Sequence, residues 1–249
     1  VMIVAPADHH ITQTESFYQA VRTAVELVDR RPEASVTFGI EPSYPATGYG
    51  YIEAGEPQNA SVFRVNRFTE KPNAAAAEQF IRSGRYFWNS GIFVWKAPTI
   101  FDHIRRFMPD LHQGLTEIGA ASSERFESIC AAVYDRLAGQ SIDYGVMEKA
   151  DDVFMVKAEF GWSDLGSWQE VYRLSPKDTD QNVVLGEPLL KNVKNSYIAV
   201  DSRTVSIIGV ERLIVIEQPD ALLICGMEHS QDVRWVTDEL KQNQKNRRQ

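Results

Sequence analysis

Cysteine is scarce: two residues in 249, Cys130 and Cys225, both in apolar stretches and without metal-ligand spacing. That excludes a disulfide framework or a zinc module and reads as reduced, buried thiols of a cytoplasmic protein. Long hydrophobic runs are also missing. No stretch approaches the ~20 apolar residues that cross a bilayer, and no signal peptide opens the chain. A basic excess is absent. With 26 Lys and Arg against 34 Asp and Glu, the formal net charge is −8, which argues against a nucleic-acid-binding surface. A local basic pocket for a phosphorylated small molecule is still compatible with it. An initial Met and any lead-in to the first apolar run are missing too, so the chain reads as a fragment. The 43 % hydrophobic and 24 % charged content are those of an ordinary globular protein, long enough for one large α/β domain or one domain with a small appendage.

What is present begins with VMIVAPADHHI, Val1 to Ile11. Its first four residues form an apolar run, as expected of a strand buried on both faces of a parallel sheet. The run breaks at Ala5-Pro6-Ala7 and presents Asp8, His9 and His10. Ligands of open α/β sheets sit just past the carboxyl ends of strands, and an acidic residue there suits a hard cation such as Mg²⁺. Asp8 as a turn cap and the two histidines as surface residues fit those eleven residues equally well.

Strands and helices then alternate. Thr12 to Glu15 has capping-box spacing and opens a helix with Phe17, Val21, Ala24, Val25 and Val28 on one face. Val36 to Ile40 is a buried strand. The loop Glu41 to Gly50, EPSYPATGYG, places Thr47, Gly48 and Gly50 around Tyr49, where missing Cβ atoms would let backbone approach a ligand. Val62 to Phe68 is a strand that runs into Thr69-Glu70-Lys71-Pro72, a hydroxyl acceptor beside a phosphate-seeking ammonium. Asn73 caps a helix Ala74 to Ser83. Asn89 lies in a turn before the strand Ile92 to Trp95, either as a turn former or as a polar ligand contact. A long helical stretch follows from Pro98, restarting at Pro109 and again near Phe126. His103 and His112 have no clustered partners there and read as structural. Ser141 to Glu148 is a short acidic helix. Val153 to Phe160 is a strand, after which Asp164 stands just before a helix capped by Ser167. From about Asp180 to Val236 short apolar runs separated by turn residues make a small all-β unit with a loose period near six. The polar tail Lys241 to Gln249 is expected to fray.

Each motif alone is weak, but PADHH, PATGYGYI, FTEKP, FWNSGIF, SIDYGVMEK and GWSDLGSW occur in the order and spacing of the sugar nucleotidyltransferases. From Val1 to about Cys225 the chain resembles that family, most closely the branch that joins GTP and mannose 1-phosphate into GDP-mannose. The resemblance implies an α/β fold with a Rossmann-like mixed sheet over residues 1–178, and a small C-terminal β unit like a short left-handed β-helix over 179–249. By motif it makes Asp8 and Asp164 the ligands of a catalytic Mg²⁺ and Lys71 the ammonium on the sugar phosphate. It makes Glu70 the carboxylate on the sugar hydroxyls, with Gly50 offering its backbone, Thr47 and Tyr49 nearby and Asn89 as a further sugar contact. Asp143 and Glu148 match as supporting residues.

The implied chemistry suits these residue types. A sugar 1-phosphate is already ionised, so attack on the α-phosphate of GTP needs alignment and charge neutralisation rather than a strong base. No Ser-His-Asp set or reactive thiolate points to a covalent intermediate. The family's Gly-rich loop, with its arginine and lysine, does not precede Val1, so weak or absent turnover is expected of this chain, and guanine selectivity rests on the motifs present. No cupin-like extension is read after Gln249, so the isomerase activity fused to some relatives is not expected of this chain. Another sugar-1-phosphate nucleotidyltransferase, acting on glucose 1-phosphate, and a non-catalytic subunit of the same fold are the alternatives. The second loses weight because Asp8, Glu70, Lys71 and Asp164 are all intact. The late β unit could pack against a second copy, giving a homodimer.

Overall fold

The apolar run at the amino end forms strand β1 (Met2–Val4), but at an edge. Among the described residues it pairs only with β6 (Tyr86–Trp95), antiparallel, and Val1, Ile3 and Val4 are exposed. The expected strand buried on both faces is therefore an edge strand, because hydrophobic content alone does not say how many neighbours a strand has.

The computed structural model describes residues 1–246 and divides into two compact units, Val1–Asp164 and Leu165–Gln249. In the first, β2 (His10–Ile11), α1 (Thr14–Arg30), β3 (Ser35–Ile40), β4 (Tyr51–Pro57), β5 (Val62–Thr69), α2 (Ala74–Ser83) and β6 follow one another. Then come α3 (Ala97–Phe107), α4 (Pro109–Gly119), α5 (Phe126–Arg136), β7 (Val153–Ala158) and β8 (Trp162–Ser163). The main sheet runs β1-β6-β3-β7-β5-β4. Strands β3 and β7 pair in parallel and the other pairs in it are antiparallel, so the sheet is mixed.

Strand β6 is the spine. It pairs with β1 through Phe93, Val94 and Trp95, with β3 from Trp88 to Trp95, and with β4 through Tyr86, Phe87 and Trp88. A register shift between Thr37 and Gly39 falls where Asn89 sits. Asn89 is thus in mid-strand rather than in a turn: the aromatic residues before it are as good strand formers as the IFVW after it. Helix α1 covers one face with Ala20, Ala24, Leu27 and Val28, against Val36, Phe38, Phe154 and Phe160. On the other face Phe93 and Trp95 pack with Ile100 of α3, Val146 and Met147.

Three local expectations give way. Helix α1 starts at Thr14 with Gln13 at its cap and no side-chain cap bond. Thr12 instead continues the β2–β8 pairing, its N–H donating to the Gly161 carbonyl at 3.2 Å. Asp143–Met147 is a single π turn, with the Glu148 N–H on the Asp143 carbonyl at 2.9 Å, rather than an ordinary short helix. Cys130 and Cys225 are half-buried free thiols rather than buried ones. Two caps hold: Asn73 accepts from the Ala76 N–H at 2.9 Å, and Ser167 accepts from the Glu170 N–H at 3.2 Å.

The second unit opens with α6 (Trp168–Leu174), whose Trp168, Val171 and Tyr172 pack on Val183, Tyr197 and Ile214. Strands β9 (Val183–Leu185), β10 (Leu189–Lys191), β11 (Tyr197–Ala199), β12 (Ser206–Ile208), β13 (Leu213–Gln218) and β14 (Ala221–Gly226) follow. β9, β11 and β13 stack in parallel, as do β10 and β12, in the manner of β-helix rungs. Stacked partners lie 17 residues apart at Tyr197–Ile214 and Leu189–Ser206, close to three steps of six, which explains the loose period. Corners use left-handed backbone at Asn192, Asn195 and Arg212, and asparagine tolerates that conformation well. Asn182, buried beneath the rungs, donates to the Val193 carbonyl at 2.9 Å and accepts from the Ser196 N–H at 3.1 Å.

The β segment ends at Gly226, earlier than the expected Val236, and Val233–Asn246 is helix α7. No glycine or proline interrupts residues 233–246, and Glu, Lys, Gln and Leu favour a helix. Helix α7 thus takes in residues 241–246 of the polar tail; residues 247–249 lie outside the described residues.

Candidate active site

At one end of the main sheet, a cavity of about 450 Å³ is lined by Tyr49, Gly50, Glu70, Lys71, Asn89 and Asp164, together with His9, Gly91, Asp143 and Trp162. Six of the eight expected site residues thus meet in one place. Thr47 is exposed on the loop just before it. Asp8 is exposed in the turn after β1, next to the lining residue His9.

The Glu70–Lys71 pair is formed by the end of β5. Lys71 Nζ donates to Glu70 Oε1 at 2.8 Å, with the lysine half exposed and the glutamate largely covered. Lys71 has φ 43°, a left-handed conformation that a lysine adopts at a cost of about 1 kcal/mol. That turn throws the side chain back toward Glu70. Opposite, Gly50 comes so close that a Cβ there would stand 2.5 Å from Glu70 Oε2. The glycine leaves room for the carboxylate and brings backbone alongside it. Tyr49 is buried between indoles, its ring 4.9 Å from Trp88 and 5.3 Å from Trp162, and this clamps the loop that carries Gly50.

Asn89 links three elements. Its Oδ1 accepts from Thr37 Oγ1 at 2.9 Å and from the Gly91 N–H at 3.3 Å, while Nδ2 donates to Asp143 Oδ1 at 2.8 Å. Its own N–H donates to the Gly50 carbonyl at 2.8 Å. The Gly91 N–H, which can only donate, fixes which way the amide faces, and the Thr37 hydroxyl adds a second bond to the same oxygen. Burial pushes the Asp143 carboxyl above the ordinary range, the Asn89 bond opposing it and the nearby Glu70 charge adding to it. Glu148 is pushed up as well, by burial and then by Glu70 and Asp143. Sequence reasoning gave no weight to Thr37. As the middle residue of a hydrophobic strand it could be found only from its neighbour on β6.

The two aspartates leave the ends of the paired strands β2 and β8. The register is His10 opposite Ser163 and Ile11 opposite Trp162, so His9 faces Asp164 one step beyond the last pair. His9 Nδ1 accepts from Trp162 Nε1 at 3.0 Å, and the rings meet edge to face at 5.4 Å. Burial holds His9 below the ordinary imidazole range against the upward pull of Asp164 and Asp8, so both carboxylates bear on one ring. Among the described residues no cluster of three or more His, Cys, Asp or Glu side chains is arranged to hold a metal. Two carboxylates with hard oxygens do suit Mg²⁺, which is commonly held by one or two carboxylates, with phosphate oxygens and water completing the shell. The donor set fits that cation.

A family model described as Nucleotidyl transferase matches residues 1–181, and one described as MannoseP isomerase/GMP-like beta-helix domain matches residues 191–240. The chain belongs to the nucleotidyl transferase family. Among its relatives, proteins named mannose-1-phosphate guanylyltransferase from Klebsiella pneumoniae and Escherichia coli are 39 % and 38 % identical, each over 98 % of this chain and 53 % of their own length. A crystal structure from Thermus thermophilus, described as a mannose-1-phosphate geranyltransferase, superimposes with a TM-score of 0.81 at 34 % identity, covering 96 % of this chain and 69 % of its own. The chain spans about half the length of the curated relatives it matches. Among the described residues no helix is long and apolar enough to cross a membrane.

Proposed function

We propose that this chain carries the sugar-phosphate side of a guanylyltransferase site, passing GMP from GTP to mannose 1-phosphate and releasing GDP-mannose and pyrophosphate. The observation that carries the reading is the Glu70–Lys71 pair pressed against Gly50 in the same cavity as Asp164. Relatives named for that activity, at up to 39 % identity, support it.

Lys71 draws the sugar phosphate into line. Glu70 and Asp143 accept hydroxyls of the sugar, and the Gly50 backbone lies against the ring. Asn89 holds Asp143 and keeps one amide hydrogen for a sugar hydroxyl; Thr47 and Tyr49 shape the loop above it. A phosphate oxygen of the sugar then attacks the α-phosphorus of GTP as the bond to pyrophosphate breaks, which calls for alignment and charge neutralisation rather than proton abstraction. Mg²⁺ held by Asp8 and Asp164 would neutralise charge building on the phosphates. We assign the catalytic role to residues 1–178 and a small β domain with its tail to residues 179–249, and expect a cytoplasmic homodimer.

Calorimetric titration with GDP-mannose in Mg²⁺ buffer, beside GDP-glucose and UDP-glucose, tests the reading. Preference for GDP-mannose that weakens in Asp164→Asn supports it. Preference for another sugar nucleotide moves the assignment to a neighbouring nucleotidyltransferase, and a response unchanged in Asp164→Asn overturns the site.

A further inference from the structure

The strands that present Asp8 and Asp164 are joined by a ladder of only two residue pairs. So short a ribbon is marginal by itself, and the spacing of two carboxylates on its frayed ends would vary with every local opening. Further bonds fasten it. Past the pair Ile11–Trp162, the Thr12 N–H reaches the Gly161 carbonyl at 3.2 Å and the Gln13 N–H reaches the Phe160 carbonyl at 3.1 Å, closing the inner end. At the outer end, where the aspartates leave, a side-chain bond crosses the ribbon from Trp162 Nε1 to His9 Nδ1 at 3.0 Å. In this register His9 and Trp162 are diagonal neighbours, a distance that aromatic side chains span. Trp162 is itself held, 6 % exposed and packed on Tyr49, so the anchor is rigid.

We propose that His9 is a positioning residue: anchored through Nδ1 to the Trp162 indole, it sets the separation at which Asp8 and Asp164 grip a divalent cation. The inference rests on the metal role proposed above for those two aspartates. His9 touches neither substrate nor cation in this scheme. It acts as the neighbours of metal ligands commonly do, by fixing ligand orientation, and disturbing such a neighbour costs about tenfold or more in metal affinity.

The test uses the full chain and Mn²⁺ alone, titrated by electron paramagnetic resonance. Asp164→Asn, His9→Phe, Trp162→Phe, the double variant His9→Phe/Trp162→Phe, and His9→Asn, which keeps an acceptor near Nδ1, are compared with the parent. In parallel, solvent exchange of the Trp162 indole proton is followed by NMR, with thermal melts checking that each variant is folded. The expected result is that Asp164→Asn abolishes strong Mn²⁺ binding and that His9→Phe and Trp162→Phe each weaken it about tenfold. The double variant should be no worse than either single change, His9→Asn should restore most of the affinity, and His9→Phe should speed indole exchange. If Asp164→Asn abolishes binding while His9→Phe and Trp162→Phe bind as the parent does, the positioning role falls and the metal site stands. A parent that binds no Mn²⁺, or binding indifferent to Asp164→Asn, overturns the metal site and this inference together. A His9→Phe variant that fails to fold leaves Trp162→Phe to decide, with the same two outcomes.

Discussion

Asn89 donates its amide to Asp143 at 2.8 Å while its Oδ1 accepts from Thr37 Oγ1 at 2.9 Å, so one amide links a buried threonine on β3 to a carboxylate far along the chain. The bond to Asn89, a backbone hydrogen bond and the Lys71 charge favour the charged form of this carboxyl, against burial and Glu70.

Asn89→Ala removes the bond that favours the charged form of Asp143, leaving burial and Glu70 to act against it. The Asp143 carboxyl should titrate still higher than in the parent, and carbon-detected NMR of the aspartate side chains reads that shift directly. Affinity for the sugar nucleotide should fall about tenfold, since a lost hydrogen bond to a charged group is worth about 1.5–3 kcal/mol. Thr37→Val, which removes only the outer bond, should cost about 1 kcal/mol of stability and a smaller part of the affinity.

Gly50→Ala places a methyl group 2.5 Å from Glu70 Oε2. The glutamate is the partner able to move, so the melting temperature should change little. Loss of its position should weaken sugar-nucleotide binding about tenfold or more in calorimetry. An unchanged affinity would mean that Glu70 is not held against this backbone during binding.

Lys71→Asn separates charge from backbone. Asparagine adopts the left-handed region more readily than lysine, so stability should be equal or higher by a few tenths of a kcal/mol. Affinity for a sugar 1-phosphate should nevertheless drop about tenfold through loss of the ammonium. A fluorescence melt and a binding titration on the same sample check both halves.

Acid should open the β unit through Glu217. Its carboxylate accepts from the Asp201 N–H at 3.0 Å, the Ser202 N–H at 3.3 Å and Ser202 Oγ at 3.1 Å, with Arg203 Nε at 3.3 Å. The Asp201 backbone bond, first among these, holds it below the ordinary glutamate range. A carboxylate lowered on folding stabilises the protein above its unfolded value and ceases to do so as pH falls through its folded value. Asp143 and Glu148 work in the opposite sense: raised on folding, they favour the folded state at low pH and lose that contribution as pH rises through their folded values. Glu217→Gln should therefore lower the melting temperature at neutral pH and flatten its decline toward acid, as a pH series of thermal melts would show.

The linear sequence determined what depends on neighbours along the chain. The alternation of apolar runs and helical faces, the caps at Asn73 and Ser167, and the acidic and basic residues past strand ends are short-range patterns, and they held. The meeting of Glu70, Lys71 and Asp164 in one cavity follows the expected placement beyond strand ends, because that rule concerns where strands stop rather than how they pair, whereas Asn89 reaches the cavity from mid-strand. The order of the strands was another matter. That β1 lies at an edge, that β6 serves both β3 and β4, and that Thr12 bonds to the Gly161 carbonyl instead of capping a helix are decided by pairings between distant segments. No window of sequence contains both partners of such a pair. Thr37 on β3 and His9 beside Trp162 are residues of that kind, ordinary in sequence and given their places only when β3 meets β6 and β2 meets β8.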